Sequence, residues 1–337
     1  MKRSLWVLGL VLGCASTMSL AAEVNVYSAR KEALIKPLLD RFTEQTGVTV
    51  NLVTGKEDEL LKRLSSEGKN SPADVLITTD AGRLYRAKEA GVLQPVKDDS
   101  LNQAIPDQLR DPEGYWFGLS VRARVIAYVK GKVQPEELST YENLADPKWK
   151  GRICIRSSDN IYNQSLVASL IDRNGKEATE QWAKGLVANL ARTPKGGDRD
   201  QVTAAAVGQC DLAVVNTYYL GTMLNDSDQA QRDAASKVAV FWPNQGTSGT
   251  HINISGAGVT KSAQHKDEAV KLLNFLVSNE SQFWYAKENN EYPVRPDIEW
   301  SDTLKTWGHF KADDLNLAKL GENNAEAVKL MDRAGWK

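Results

Sequence analysis

"EVNVYSARKEALIKPLLDRFTEQTGVTVNLVTGKEDELLKRLSSEGKNSPADVLITTD" (residues 23–80) decides the fold. "EVNVYS" alternates as a strand does. "LIKPLLDRFTEQTG" sets Leu34, Ile35, Leu38, Leu39 and Phe42 along one helical stripe, and Gly47 supplies a C-terminal stop. Pro37 does not suit a helix interior, so the regular turns are expected to begin near it. Strand "VTVNLVTG", helix "EDELLKRLSSEG" and strand "ADVLITTD" complete β-α-β-α-β, the pattern of an open parallel sheet. Ligands of such sheets sit beyond the carboxyl ends of strands. Tyr27 and Asp80 stand at two such ends.

A second α/β series runs from "SVRARVIAYV" through strands "GRICIR", "DLAVVN" and "KVAVFWP", with helices after Tyr162, at "GLVANLA" and at "QVTAAAVG". "THINISGAGVT" then reads as a return strand, followed by an amphipathic helix from Lys266. No Pro/Ser-rich linker separates the two series, which fits lobes joined by crossing strands that act as a hinge. The expected fold class is α/β, two-lobed, with an open sheet in each lobe. Residues 22–122 and 250–296 form the first lobe and 123–249 and 297–337 the second. The crossovers are expected near Ser120–Arg124 and Thr250–Ser255.

The chain has 337 residues, enough for two domains, with 42% apolar and 25% charged residues. Its formal net charge of −1 gives no global field favouring nucleic acid or an anionic membrane. Lys2 and Arg3, the apolar run "LWVLGLVLG" and the small residues of "STMSLAA" form a signal peptide over residues 1–21, with cleavage after Ala21 or Ala22. The apolar run is too short for a comfortable membrane span. "VLGC" also resembles a lipidation box at Cys14. Export to a bacterial periplasm follows in either case. Once Cys14 is removed, Cys154 and Cys210 remain. An even count in an oxidising compartment reads as a disulfide, worth roughly 3–4 kcal/mol by chain entropy, against the alternative of two buried thiols.

Enzyme signatures are scarce. His251, His265 and His309 are scattered, and no GxSxG elbow, Walker loop or GxGxxG is present. His265 reads as a solvated surface residue and Asp198, after "PKGG", as a helix N-cap. The tyrosines carry more. Tyr27, Tyr162, Tyr218 and Tyr219 all fall at or just past strand ends. A deprotonated phenol is a hard anionic oxygen ligand suited to a hard trivalent cation such as Fe3+. Because its ordinary pKa is about 10, binding would release protons. Cationic groups nearby suggest an anion as well: Arg30 in "YSAR", "RSSDN" (156–160) ahead of a helix start, and Arg122 and Arg124 on one face of a strand. Each arginine reads equally as half of a structural ion pair.

The stretches "VNVYSARKEALIKPLLDRFTEQTG", "SPADVLITTD", "WFGLSVRARV", "WKGRICIRSSDNIYNQSL", "ANLARTPKGGDRDQV", "GQCDLAVVNTYYLG", "GTHINISG" and "NNEYPV" follow one another through nearly the whole mature chain. As an ordered set they resemble the periplasmic ferric-iron-binding proteins of bacterial ABC transporters. The resemblance implies a type II periplasmic binding-protein fold, no catalysis, and delivery of Fe3+ to an inner-membrane permease by a monomer. It implies iron ligation by Tyr162, Tyr218 and Tyr219, with Tyr27 as a fourth ligand or a neighbouring hydrogen-bond donor. Some family members use a histidine where Lys31 stands, and others a glutamate near Thr78-Thr79-Asp80. Their absence here points to a tyrosine-only site completed by a carbonate-type anion, with Arg30 as its best holder and Arg122 and Ser157 as further anion-binding candidates. Two rivals remain: the same fold carrying a phosphonate, sulfate or small amine, and a secreted hydrolase using Asp80 or His251.

Overall fold

The computed structural model describes residues 22–337. The expected signal peptide over residues 1–21, with Cys14, lies outside them. Eight strands follow the chain: β1 (Glu23–Ser28), β2 (Thr49–Thr54), β3 (Val75–Thr79), β4 (Phe117–Val129), β5 (Ile153–Cys154), β6 (Leu212–Asn216), β7 (Val238–Phe241) and β8 (Ile252–Val259). β1 lies parallel between β2 and β3, as the β-α-β-α-β reading requires. β8 returns antiparallel between β3 and β4.

The strands form one path, β2-β1-β3-β8-β4-β6-β5, with β7 also on β4. The two expected sheets are therefore joined. β4 joins them: its residues 117–123 pair with β8 and its residues 124–129 with β6 and β7. β4 is buried along most of its length, so it reads as a continuous apolar strand broken by Ser120, Arg122 and Arg124.

Local signals explain the flanking helices. The helix Lys36–Thr46 starts with Pro37 in its first turn, where a missing N–H costs nothing, and ends at Gly47 with φ 72°. It buries Leu38, Leu39 and Phe42 against the sheet, each worth about 1.5–3 kcal/mol. Asp80 adopts φ 81° and caps the helix Ala81–Glu89, accepting from Gly82 N at 2.8 Å. Its carboxylate also accepts from Ser165 Oγ at 2.8 Å and Asn253 Nδ2 at 2.8 Å. Because Ser165 belongs to the helix Ile161–Asn174 beyond β5, this fully buried carboxylate joins the two sheet halves. No helix among the described residues is long and apolar enough to cross a membrane.

Candidate functional site

β5 and β6 each feed a helix whose first turn carries the tyrosines. Tyr162 is the second residue of Ile161–Asn174, and Tyr218 and Tyr219 are the second and third of Thr217–Leu224. Helical side chains lean toward the N-terminus, so first-turn phenols project past the helix starts. The positive end of the helix dipole there favours anionic oxygen. Tyr218 Oη lies 3.3 Å from Tyr162 Oη, and the rings of Tyr218 and Tyr219 have centroids 4.2 Å apart. Adjacent tyrosines thus converge inside a regular helical turn.

A disulfide between Cys154 and Cys210 ties the two segments that lead to these helices. Asp198 ties them again. Its buried Oδ2 accepts from Asn216 N at 2.8 Å, just before the tyrosine pair, and faces Arg124 Nη1 at 3.3 Å. Arg124 reaches Asn163 Oδ1 at 2.6 Å, beside Tyr162. The expected N-cap role of Asp198 is corrected accordingly. Gly197 is the cap residue, and Asp200 accepts from its N–H at 2.6 Å. Arg124 is likewise a structural tie.

Two guanidinium groups lie over the phenol rings: Arg122 5.4 Å from the Tyr218 centroid and Arg156 5.7 Å from that of Tyr162. Burial pushes the Tyr218 phenol well above its ordinary pKa, with Tyr162 and Tyr219 adding to the shift and Arg122 opposing it. Burial and Tyr162 push Tyr219 up as well. In the free site both phenols hold their protons at neutral pH. Among the described residues, no three His, Cys, Asp or Glu side chains form a metal-holding group.

Other expected residues stand elsewhere. Tyr27 is not brought to the cluster: its ring packs with Leu60, Leu64 and Leu76, and its hydroxyl donates to Glu67 Oε1 at 3.0 Å. On β1 its side chain points to the face covered by the helix Glu57–Glu67. Arg30 is buried with its terminal nitrogens engaged by Ser255 and by Glu291 Oε2 at 2.9 Å. The Ser157 hydroxyl donates to Asp159. His251 is buried, and its pKa is pushed down to about 3 by burial and by Arg124, which keeps the ring neutral. Arg122, Arg124, Tyr162, Asn216, His251 and Asn253 line a narrow crevice too small to hold a water. His265 is not merely solvated: its Nδ1 lies 3.0 Å from the buried Asp74 carboxylate.

Sequence reasoning gave Arg156 no role of its own and missed Glu291 altogether. Glu291 sits in "NNEYPV", where nothing local announces that two arginines from distant parts of the chain will meet it.

A family model described as bacterial extracellular solute-binding protein matches residues 70–313. "Iron uptake protein A1" of Synechocystis is 52% identical over 323 residues, covering 96% of this chain and 90% of its own. A Trichodesmium protein solved in complex with iron and citrate superposes with a TM-score of 0.92 at 53% identity, covering 94% of this chain and all of that one. The ferric binding protein of Campylobacter jejuni gives a TM-score of 0.88 at 42% identity, over 93% of this chain and all of that one. These relatives are binding proteins, not enzymes.

Proposed function

The chain belongs to the bacterial extracellular solute-binding proteins, and on that premise we propose that it carries ferric iron, held by the phenolates of Tyr162, Tyr218 and Tyr219. The observation that carries this reading is the meeting of three phenols from two helix N-termini under two guanidinium groups. Three phenolates neutralise a trivalent cation and disfavour softer or divalent ones. Tyr27 stays outside the ligand set because its hydroxyl is bound to Glu67.

A carbonate-type anion completes the coordination. Both arginines pair with Glu291, but Arg122 suits the anion better than Arg30, because two of its nitrogens, Nε and Nη1, are buried without a hydrogen-bond partner, against Nε alone for Arg30. Residues 22–122 and 250–296 move as one lobe against 123–249 and 297–337, flexing where β4 changes partners. The closed monomer travels the periplasm, docks on an inner-membrane ABC permease and releases iron there. Protonation of the phenolates assists that release.

Purified protein titrated with a ferric salt in bicarbonate is expected to turn orange-red from tyrosinate-to-iron charge transfer. Retention of colour and affinity in the variant Tyr218→Phe with Tyr219→Phe would sink this reading. The unpartnered donors of Arg122 also support a second one, a small oxyanion or organic ligand bound without metal. Calorimetry of iron-free protein against a phosphonate, sulfate and amine panel separates the two.

A further inference from the structure

Behind Tyr218 lies a buried cluster of which the proposed site uses only Arg122. Arg30, Ser120, Arg122, Ser255 and Glu291 come from four separate parts of the chain, and none is more than 5% exposed. Glu291 Oε2 accepts from Arg30 Nη2 at 2.9 Å and from Ser120 Oγ at 2.8 Å, and Oε1 accepts from Arg122 Nη2 at 3.2 Å. Both arginines also donate to Ser255 Oγ. Two guanidinium groups sharing one serine in a dry interior would repel strongly, and the carboxylate between them offsets that repulsion.

The same turn also touches the tyrosine helix directly. Asn290 adopts φ 53°, and a Cβ at Gly221 would stand 2.6 Å from Asn290 Cβ. Gly221 lies about one helical turn beyond Tyr218. The turn that carries Glu291 therefore abuts the helix on which the tyrosine pair is mounted, and only glycine fits at that contact.

We infer that Glu291 is a positioning residue for the tyrosine site: its carboxylate pins Arg122 against Ser255 and so fixes the cation that lies over Tyr218. Arg122 has a long flexible stem, and its fixed partners are Glu291 and Ser255. Removing the carboxylate leaves two buried like charges, and repulsion drives Arg122 away from Arg30. The charge over the Tyr218 ring then changes, and with it the energy of the phenolate electrons donated to iron. This inference rests on the ferric-tyrosinate reading above.

Glu291→Gln keeps the shape and the Ser120 contact while removing the charge. It is expected to weaken ferric affinity about tenfold and to shift the tyrosinate-to-iron absorption band, with circular dichroism unchanged. In an Arg122→Gln background the same substitution is expected to change neither quantity further, because Glu291 acts through Arg122. Should Glu291→Gln fail to fold, the double variant Arg30→Gln with Glu291→Gln leaves one buried guanidinium rather than two. Its band and affinity are then read against Arg30→Gln alone. An unmoved band, or losses that simply add to those of Arg122→Gln, would overturn the positioning role. If wild-type protein shows no visible band with ferric ion, the ferric reading has failed, and this inference falls with it.

Discussion

Tyr27 and Tyr218 occupy equivalent addresses, at or just past the carboxyl end of a strand, and each ring lies under a guanidinium. Arg63 is 4.7 Å from the Tyr27 centroid and Arg122 is 5.4 Å from that of Tyr218. Their hydroxyls differ. Tyr27 donates to a carboxylate, Glu67, and burial together with Glu67 raises its pKa against the opposing pull of Arg63. A carboxylate partner keeps the proton on the phenol. Tyr218 instead faces another phenol, so an arriving cation can replace both protons at once. Strand-end position makes a tyrosine available; the group facing its hydroxyl decides whether it can become a ligand.

The strongest attempt to break this contrast removes the paired phenols. If each ligand is worth more than about a hundredfold, as even outer-shell partners of metal sites reach 10–100-fold, Tyr218→Phe with Tyr219→Phe loses more than ~10⁴-fold in ferric affinity. Competition against a chelator of known strength measures it. A loss below tenfold would place the metal elsewhere.

The disulfide sharpens the comparison next, because it braces only the half that carries the proposed ligands. Its sequence separation of 56 implies about 4 kcal/mol of stabilisation in the chain-entropy account. Cys154→Ser with Cys210→Ser is expected to lose about that much in denaturant unfolding and to weaken iron binding. Amides of β1 around Tyr27 should keep their hydrogen-exchange protection. Equal loss of protection in both halves would show that they unfold as one unit.

The parts of the molecule that were legible in the sequence are those with a local cause. Alternation and helical stripes yielded the β-α-β-α-β start, Gly47 marked a helix end, and the strand "LAVVN" placed the tyrosine pair just past a strand end. The Tyr27 side chain was not legible, because a strand buried on both sides carries no sign of which face meets the ligand. Nor was the Arg30–Glu291 pair, whose members are 261 residues apart and meet only after β4 and β8 have crossed. Asp198 misled for a related reason. Its place after two glycines fits a cap, while its tertiary partners drew the carboxylate inward to Arg124 and Asn216.

Acid offers a third probe. Burial holds Tyr218 and Tyr219 protonated in the free protein, so ferric binding expels their protons. Each expelled proton makes the affinity fall about tenfold per pH unit on acidification, so these two alone make it fall by about two orders of magnitude per unit, and a proton from Tyr162 would add to that. Tyr27→Phe should leave that slope untouched, and Tyr218→Phe should make it shallower. A flat profile would mean that phenolates are not the ligands.

The smallest effect falls on Tyr27 itself. Tyr27→Phe is expected to leave ferric affinity unchanged and to cost about 1 kcal/mol of stability, the net worth of one partly buried hydrogen bond. That cost should depend on pH in a definite direction. Burial pushes Glu67 up, but hydrogen bonds from Ser71, Arg63 and Tyr27 outweigh it and hold the carboxyl below its ordinary value of 4.5. A group more acidic in the fold than in the unfolded chain stabilises fully above its unfolded pKa, and that contribution is lost as pH falls through the folded value. The difference between wild type and Tyr27→Phe should therefore be complete at neutral pH and shrink below about 4.5, as read by urea unfolding at a series of pH values. A difference that grew in acid would mean that the Tyr27 hydroxyl serves something other than Glu67. A drop in iron affinity would return Tyr27 to the ligand set and dissolve the contrast with Tyr218.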